Sequence, residues 1–320
     1  MDQFTEACLH GDLPRAQHVA DRFSLTTQDI RDDDKKILRR ACLDGRLPLL
    51  RWMAAHFALT ADDFRSYYSY ALCAAARNGH LEVAQWLDDE FGLTEKDACS
   101  KHNRALTAAA RNGHLAVAQW LTERFGLTVE NVEDSEAWYW ACQKGHLDVA
   151  QWIADYFELT TEDARLHDNE PLRSACRRGH LAVAQWLVVR FGLTKADACA
   201  NGNLAICTAC SNGYLDIATW LADTFGITAT DIGDASVPLR WACRNGHLVI
   251  AQWLADRFAI TAADARVDNN AILHNAYKGA RLEIAQWLVD EFDLTEEEIA
   301  PYPALRPSLG PLVKSAAKEN

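Results

Sequence analysis

The chain has 320 residues, a formal charge of −13 from 32 Lys and Arg against 45 Asp and Glu, and 49% hydrophobic content. This composition belongs to a soluble, core-forming chain and excludes a disordered segment, a collagen or a bulk nucleic-acid coat. Ten cysteines are too sparse for a disulfide scaffold, no run approaches the ~18 apolar residues of a membrane span, and the start MDQFTEACLHGD has neither signal-peptide nor lipidation pattern, so reduced thiols and an intracellular, cytoplasmic location are expected.

A segment Gly-His-Leu-x-Val-Ala-Gln-Trp-Leu recurs, its leucine falling at Leu13, Leu47, Leu81, Leu115, Leu147, Leu181, Leu215, Leu248 and Leu282, with spacings of 32 to 34 residues. Nine such units are expected to fill residues 1–299 as one array, with 300–320 as a Pro-rich tail carrying Pro301, Pro303, Pro307 and Pro311. Each unit opens with a first helix that places a large apolar residue nine positions before the leucine (Phe4, Leu38, Leu72, Leu106, Trp138, Leu172, Ile206, Leu239, Leu273). Small pairs follow it, such as Ala41-Cys42, Ala75-Ala76, Ala141-Cys142 and Ala175-Cys176, and small residues at matched points let helices approach closely. A glycine (Gly79, Gly113, Gly145, Gly179, Gly213, Gly246) then supplies the left-handed residue that ends the first helix.

The second helix carries Gln-Trp pairs such as Gln85-Trp86 and Gln185-Trp186, and a Phe at Phe23, Phe57, Phe91, Phe125, Phe157, Phe191, Phe225, Phe258 and Phe292. Leu81, Val83, Ala84, Trp86, Leu87 and Phe91 share one helical face, and its Trp and Phe are expected to be core between repeats. The connector reads Thr-x-x-Asp (Thr60…Asp63, Thr94…Asp97, Thr194…Asp197 among others), a capping-box pattern that nucleates a short third helix. Polar tips follow, as in Asp168-Asn169, Asn201-Gly202-Asn203 and Gly233-Asp234. At the ends, His18 replaces Trp in the first repeat and the ninth carries Gly279 before Ala280, irregularities expected of terminal units.

With its Gly-His-Leu turns, the chain resembles the ankyrin-repeat family over nearly its whole length, most closely at Ala75-Ala76-Arg77-Asn78-Gly79-His80-Leu81-Glu82-Val83. Traces of the family's corner remain at Pro171-Leu172, Pro238-Leu239 and Leu273-His274, whereas its hairpin segment is replaced by Phe-Gly-Leu-Thr-x-x-Asp. The resemblance implies an all-α, ankyrin-like helical solenoid of about nine repeats with little or no β-hairpin, and a role in binding other proteins. Such divergent, Trp-bearing repeats resemble those of large DNA viruses and protists. A tetratricopeptide array has the same period but places its Trp in the first helix.

Three Cys…His pairs at helical spacing, Cys142…His146, Cys176…His180 and Cys243…His247, look like metal ligands. The same positions hold Ala76…His80 and Ala110…His114, so the cysteines are read as small packing residues, and no metal or cofactor is expected. No nucleophile elbow, phosphate loop, dinucleotide glycine run or zinc-protease motif occurs, so no enzyme is expected.

In ankyrin-like stacks the first helix lines a concave groove, with exposed positions expected eight, seven, four and three before the turn leucine. Of these 32 positions in repeats two to nine, 11 are Lys or Arg and only Asp44 is acidic. The candidate partner contacts are Arg77, Arg111, Tyr139, Trp140, Arg173, Arg177, Arg240, Trp241 and Arg244, since arginine and aromatic residues dominate binding energy in a groove. The expected function is non-catalytic protein binding by a monomer, the partner carrying an acidic or phosphorylated segment and no membrane being involved. A nucleic-acid or phosphate ligand on the same stripe, a self-assembling structural protein and a merely solvated basic face remain alternatives.

Overall fold

A computed structural model describes residues 2–32, 36–131, 136–233 and 236–306. Asp234 and the tail beyond Arg306, with Pro307 and Pro311, lie outside the described residues. Within them every regular element is a helix and there is no strand, so the connectors are helical where the family pattern has hairpins. No helix among the described residues is long and apolar enough to cross a membrane. The chain forms two compact units, residues 1–159 and 160–320, each a stack of the helical repeats read from the sequence.

One repeat of the first unit shows the plan: a first helix ending at Arg77, a second helix Leu81–Phe91 and a connector helix Glu95–Ala98. In the second unit the corresponding elements are Thr161–Arg178, Leu181–Phe191 and Lys195–Ala198. Thr161–Arg178 is two helices, the connector and the next first helix, joined through left-handed His167, Asp168 and Asn169. Asn and Asp tolerate that conformation better than other non-glycine residues, which is why the tips are rich in them.

The large apolar residue of the first helix is the centre of each repeat. Leu38, Leu72 and Leu106 in the first unit and Leu172, Ile206, Leu239 and Leu273 in the second are at most 2% exposed. The small pairs beside them, such as Ala75-Ala76, Ala175-Cys176 and Ala242-Cys243, are wholly buried. A larger side chain there would overpack the helix contact, which accounts for the exchange of Cys with Ala. The tryptophans of the second helix differ from expectation: Trp86 is 6% exposed, but Trp52, Trp120, Trp152, Trp186, Trp220, Trp253 and Trp287 are only half-buried. Each packs edge-on against the Phe five residues later in its own repeat, as Trp186 does on Phe191 at 5.7 Å, so the ring seals the rim of the core.

Repeats are joined at the turn. The His80 Nε2–H donates to the Leu43 carbonyl of the preceding repeat at 2.9 Å, His114 to Arg77 at 2.9 Å and His146 to Arg111 at 3.0 Å, while His247 does the same to Ser211 at 3.1 Å. A carbonyl only accepts, so Nε2 carries the proton in each. The ring lies on the preceding turn glycine: a Cβ on Gly79, where φ is +75°, would sit 2.5 Å from His114 Nδ1. In the ninth repeat Ala280, with φ +57°, takes the left-handed place and Gly279 stays right-handed.

A second joint uses the capping boxes, which form at Thr60/Asp63, Thr94/Asp97, Thr160/Asp163, Thr194/Asp197, Thr228/Asp231, Thr261/Asp264 and Thr295/Glu298. In several the carboxylate also receives a cation from the preceding repeat: Arg31 Nε reaches Asp63 at 2.8 Å, Arg65 reaches Asp97 at 3.1 Å, Arg165 reaches Asp197 at 2.8 Å and Arg266 reaches Glu298 at 2.7 Å. Lys195 Nζ serves Asp231 at 2.7 Å. At Asp197 burial opposes ionisation but is outweighed by Arg165 and the Thr194 donors, which hold the carboxyl down at about 2. Lys195 and Thr228 hold Asp231 at about 2, and Arg266 does so for Glu298 against a smaller effect of burial.

The tail begins by folding onto the last repeat. Tyr302 packs on Tyr277 at 4.9 Å, Leu305 is 8% exposed, and the Gln286 amide donates to the Arg306 carbonyl at 3.0 Å while accepting from its N–H at 2.9 Å.

Two outcomes follow for stability. The folded carboxyls titrate below the unfolded range of about 4, so their stabilisation is present above that pH and is lost as pH falls toward 2; Asp197→Asn reduces this acid dependence in pH-resolved urea unfolding. Ala280→Gly relieves a left-handed alanine and raises stability by about 1 kcal/mol, read from the urea midpoint.

Candidate functional site

The first helices carry their polar residues where they do because the opposite side of each helix is fixed in the core by the buried leucine and small pair. The four positions expected to be exposed are unequal. Those three and four before the turn leucine are mostly open, as at Arg77, Asn78, Arg111, Asn112, Arg244 and Asn245, although Gln143 is buried. Those seven and eight before it are mostly half-buried, and Cys73, Ala74 and Ser174 are buried. These positions face the neighbouring first helix, which covers them.

The nine candidate contacts fall into two sets, one on each unit. In the first unit, Arg111 is exposed and its guanidinium lies 4.2 Å from the centroid of the Trp140 ring, which belongs to the next repeat. Tyr139 meets Trp140 at 5.4 Å and 67°, and its hydroxyl accepts from the Gln143 amide, so the rings are held in place from beneath. Arg77 is exposed, its carbonyl accepts from His114, and among the described residues no acid pairs with its guanidinium. Arg39 forms a further cation–π contact with Tyr70 at 5.4 Å that the residue pattern did not single out.

The second unit is arranged differently. Arg173 and Arg177 share one acid of their own helix, Glu170: Arg173 pairs with it directly, and Arg177 Nη2 lies 3.3 Å from it and 2.9 Å from Ser174 Oγ. Ser174 Oγ donates to the same carboxylate at 2.6 Å. Burial pushes the Glu170 carboxyl up, but the Ser174 and Arg173 donors together hold it below its ordinary value. The Arg173 side chain is 13% exposed, and its Nε and Nη1 are buried without an acceptor among the described residues. Arg240 pairs with Asp268 at 3.2 Å. Trp241 and Arg244 are the open members, Trp241 being 44% exposed with the Arg244 guanidinium 5.4 Å from its ring.

Thus the structure brings Arg111, Tyr139 and Trp140 together, Arg173 with Arg177, and Trp241 with Arg244. Glu170 was legible as the missing partner, because an acid three residues before Arg173 and seven before Arg177 lies on their helical face. The Cys…His pairs are not brought together as ligands: Cys142 and Cys243 are buried with thiols pushed far up by burial, and His146 and His247 engage carbonyls of preceding repeats. Cys176 is likewise buried, its thiol raised to about 12. Among the described residues no group of three or more His, Cys, Asp or Glu is placed to hold a metal ion.

A family model described as ankyrin repeats (3 copies) matches the chain three times, at residues 38–132, 72–163 and 139–233, which together span more than half of it. The crystal structure of the human ASB11 ankyrin repeat domain is similar at 20% identity and a TM-score of 0.44, the match covering 64% of this chain and 96% of that one. No curated protein matches the chain significantly.

One outcome tests the second-unit cluster. Glu170→Gln leaves two partly buried guanidinium groups sharing no charge and costs about 2 kcal/mol of stability in urea unfolding, whereas Arg244→Gln, at an open site, changes the midpoint little.

Proposed function

The chain belongs to the ankyrin-repeat family, and from that premise we propose that it is an intracellular, monomeric, non-catalytic module that binds a protein partner on the face lined by its first helices. Members of this family generally mediate protein–protein interaction. The first helices within residues 1–299 supply the binding surface of each unit in this reading, and residues 302–306 pack on the last repeat.

The observation that carries the reading is the pair of open arginine–aromatic contacts, Arg111 on Trp140 and Arg244 on Trp241. A guanidinium laid on an indole ring is already ordered, so less side-chain entropy is lost when a partner covers it. Both are residue types that contribute most when desolvated at an interface. Arg77 adds an exposed charge that no acid among the described residues pairs with, while Arg173, Arg177 and Arg240 act more as supports of the face than as contacts, their charges being met within the unit. An acidic or phosphorylated partner segment suits the open arginines.

A nucleic-acid ligand is the competing reading of the same residues, and self-assembly is another; the overall charge of −13 disfavours the first. Purification of partners from cell extract, with wild type beside the Arg77→Glu, Arg111→Glu and Arg244→Glu triple variant, separates them. The expected outcome is a defined protein held by the wild type and reduced at least ~10-fold by the variant, consistent with hot-spot losses. Light scattering is expected to give the mass of one chain, 35.7 kDa. Retention of a nucleic acid with a steep salt dependence, or a mass that grows with concentration, contradicts the proposal.

A further inference from the structure

We propose that the turn face of repeats two to four, between Arg46 and Arg77 in the first unit, is an anchor for the carboxylates of an acidic protein segment. It rests on the protein-binding reading above and adds a place and a chemistry to it.

A shallow, mainly polar concavity lies at the ends of these first helices, lined by Leu43, Arg46, Arg77, His80, Asn112 and His114 among others. Helix ends of this polarity present carbonyl groups, which repel an anion. Here side chains already occupy them. The Leu43 carbonyl accepts from both Asn78 Nδ2 at 2.7 Å and His80 Nε2 at 2.9 Å, and the Arg77 carbonyl accepts from His114. Asn112 Nδ2 donates to the Ala108 carbonyl at 2.7 Å. The acid at the rim, Asp44, is taken by Arg40 at 2.8 Å.

What remains without an acid among the described residues is a pair of guanidinium groups. Arg46 and Arg77 are both exposed, and neither pairs with an acid among the described residues. Arg77 stands in the last turn of its helix, where the dipole alone favours a cation. Arg46 has no such explanation, because it lies outside the helix ending at Leu43, at the position where the next repeats carry His80 and His114. Its guanidinium lies against the turn of the first repeat: a Cβ on Gly11 would meet Arg46 Cζ at 2.8 Å. Packing of the planar fork on a backbone turn fixes its plane while leaving its outer edge to solvent, an arrangement suited to bidentate capture of a carboxylate.

In the second unit Arg281 lies on Gly246 much as Arg46 lies on Gly11, but it belongs to the ninth repeat, with no following repeat to supply a counterpart of Arg77. The stripe arginines Arg173, Arg177 and Arg240 of that unit meet Glu170 or Asp268, while Arg244 stands open beside Trp241. A nucleic acid needs a longer basic track to offset repulsion from a chain of charge −13, whereas a short acidic segment needs only this local anchor.

The test is fluorescence anisotropy of the full chain with a fluorescein-labelled hexaglutamate peptide at low salt, against a hexaglutamine control. Saturable binding of the glutamate peptide, weakened at least tenfold by Arg46→Glu with Arg77→Glu and less than twofold by Arg51→Glu, at an exposed arginine of the second helix Leu47–His56, is the expected result, with Arg244→Glu measured alongside. Arg46→His, which restores the residue of the next repeats, and Arg77→Gln serve as milder variants with the melting temperature checked alongside, each expected to weaken binding severalfold. Absence of peptide binding overturns the anchor, and so does binding that survives both milder variants. Loss confined to Arg244→Glu also overturns it while leaving the protein-binding reading intact, which partner capture decides independently. A phosphoserine peptide bound tenfold more tightly than hexaglutamate overturns the carboxylate assignment in favour of phosphate, and oligothymidylate bound more tightly than either overturns a protein segment as occupant.

Discussion

The fold depends on one carboxylate doing two jobs. In the connector the Asp of Thr-x-x-Asp accepts from the N–H and hydroxyl of its own threonine, at 2.8 and 2.9 Å for Asp197 and Thr194, and so starts a helix too short to persist alone. Its other oxygen receives the arginine five residues beyond the preceding threonine, so a local cap also becomes a clamp between repeats. Removing the acid would therefore unmake a helix start and a repeat contact together, and the side chain is buried because both partners surround it. The coupling is uneven. Where Cys99 stands in place of the arginine, the place of the acid opposite is taken by Asn131, whose amide approaches the sulfur at 3.9 Å, so the charge has been removed from both sides at once. Gly233 stands in the arginine's place before Asp264, which among the described residues keeps its own cap without a cation.

The turn joint works by shape instead of charge. A left-handed glycine ends the first helix, and the imidazole of the next repeat fills the space that a Cβ would occupy while donating to a carbonyl left open at that helix end. Tyr214 and Arg281 stand in for histidine on Gly179 and Gly246, so what the position demands is a flat group able to lie on the turn. Arg46 does so on Gly11, and there the substitute brings a charge that histidine at neutral pH lacks.

Much of this was legible in the residues. The period, the buried leucine, the small pairs and the capping boxes follow from spacing alone, because each is decided within one repeat by helix geometry. The reading lost accuracy wherever the neighbour decides. The tryptophans share the helical face of the buried leucines, yet most stop half-buried, each meeting edge-on the Phe of its own repeat, as Trp186 meets Phe191. Arg31, Arg65, Arg165 and Arg266 recur at a fixed place, but their partners lie about 32 residues on, beyond any local pattern. Counting basic residues likewise treated all arginines alike, whereas Glu170 pairs with both Arg173 and Arg177 and no acid among the described residues pairs with Arg77 or Arg111.

A stack of like units has no inherent reason to stop, since the outward side of the last one is shaped to receive another. The tail answers that problem with main chain. Gln286 engages both the N–H and the carbonyl of Arg306, as a neighbouring strand would, while Tyr302 lies over Tyr277 on the terminal first helix. A second molecule seeking to continue the stack at this end would have to peel off those six residues and leave the Gln286 amide, Leu305 and the tyrosine pair without partners. The segment from 301 to 306 thus covers, with main chain and a tyrosine, the side of the ninth repeat that another repeat would otherwise take.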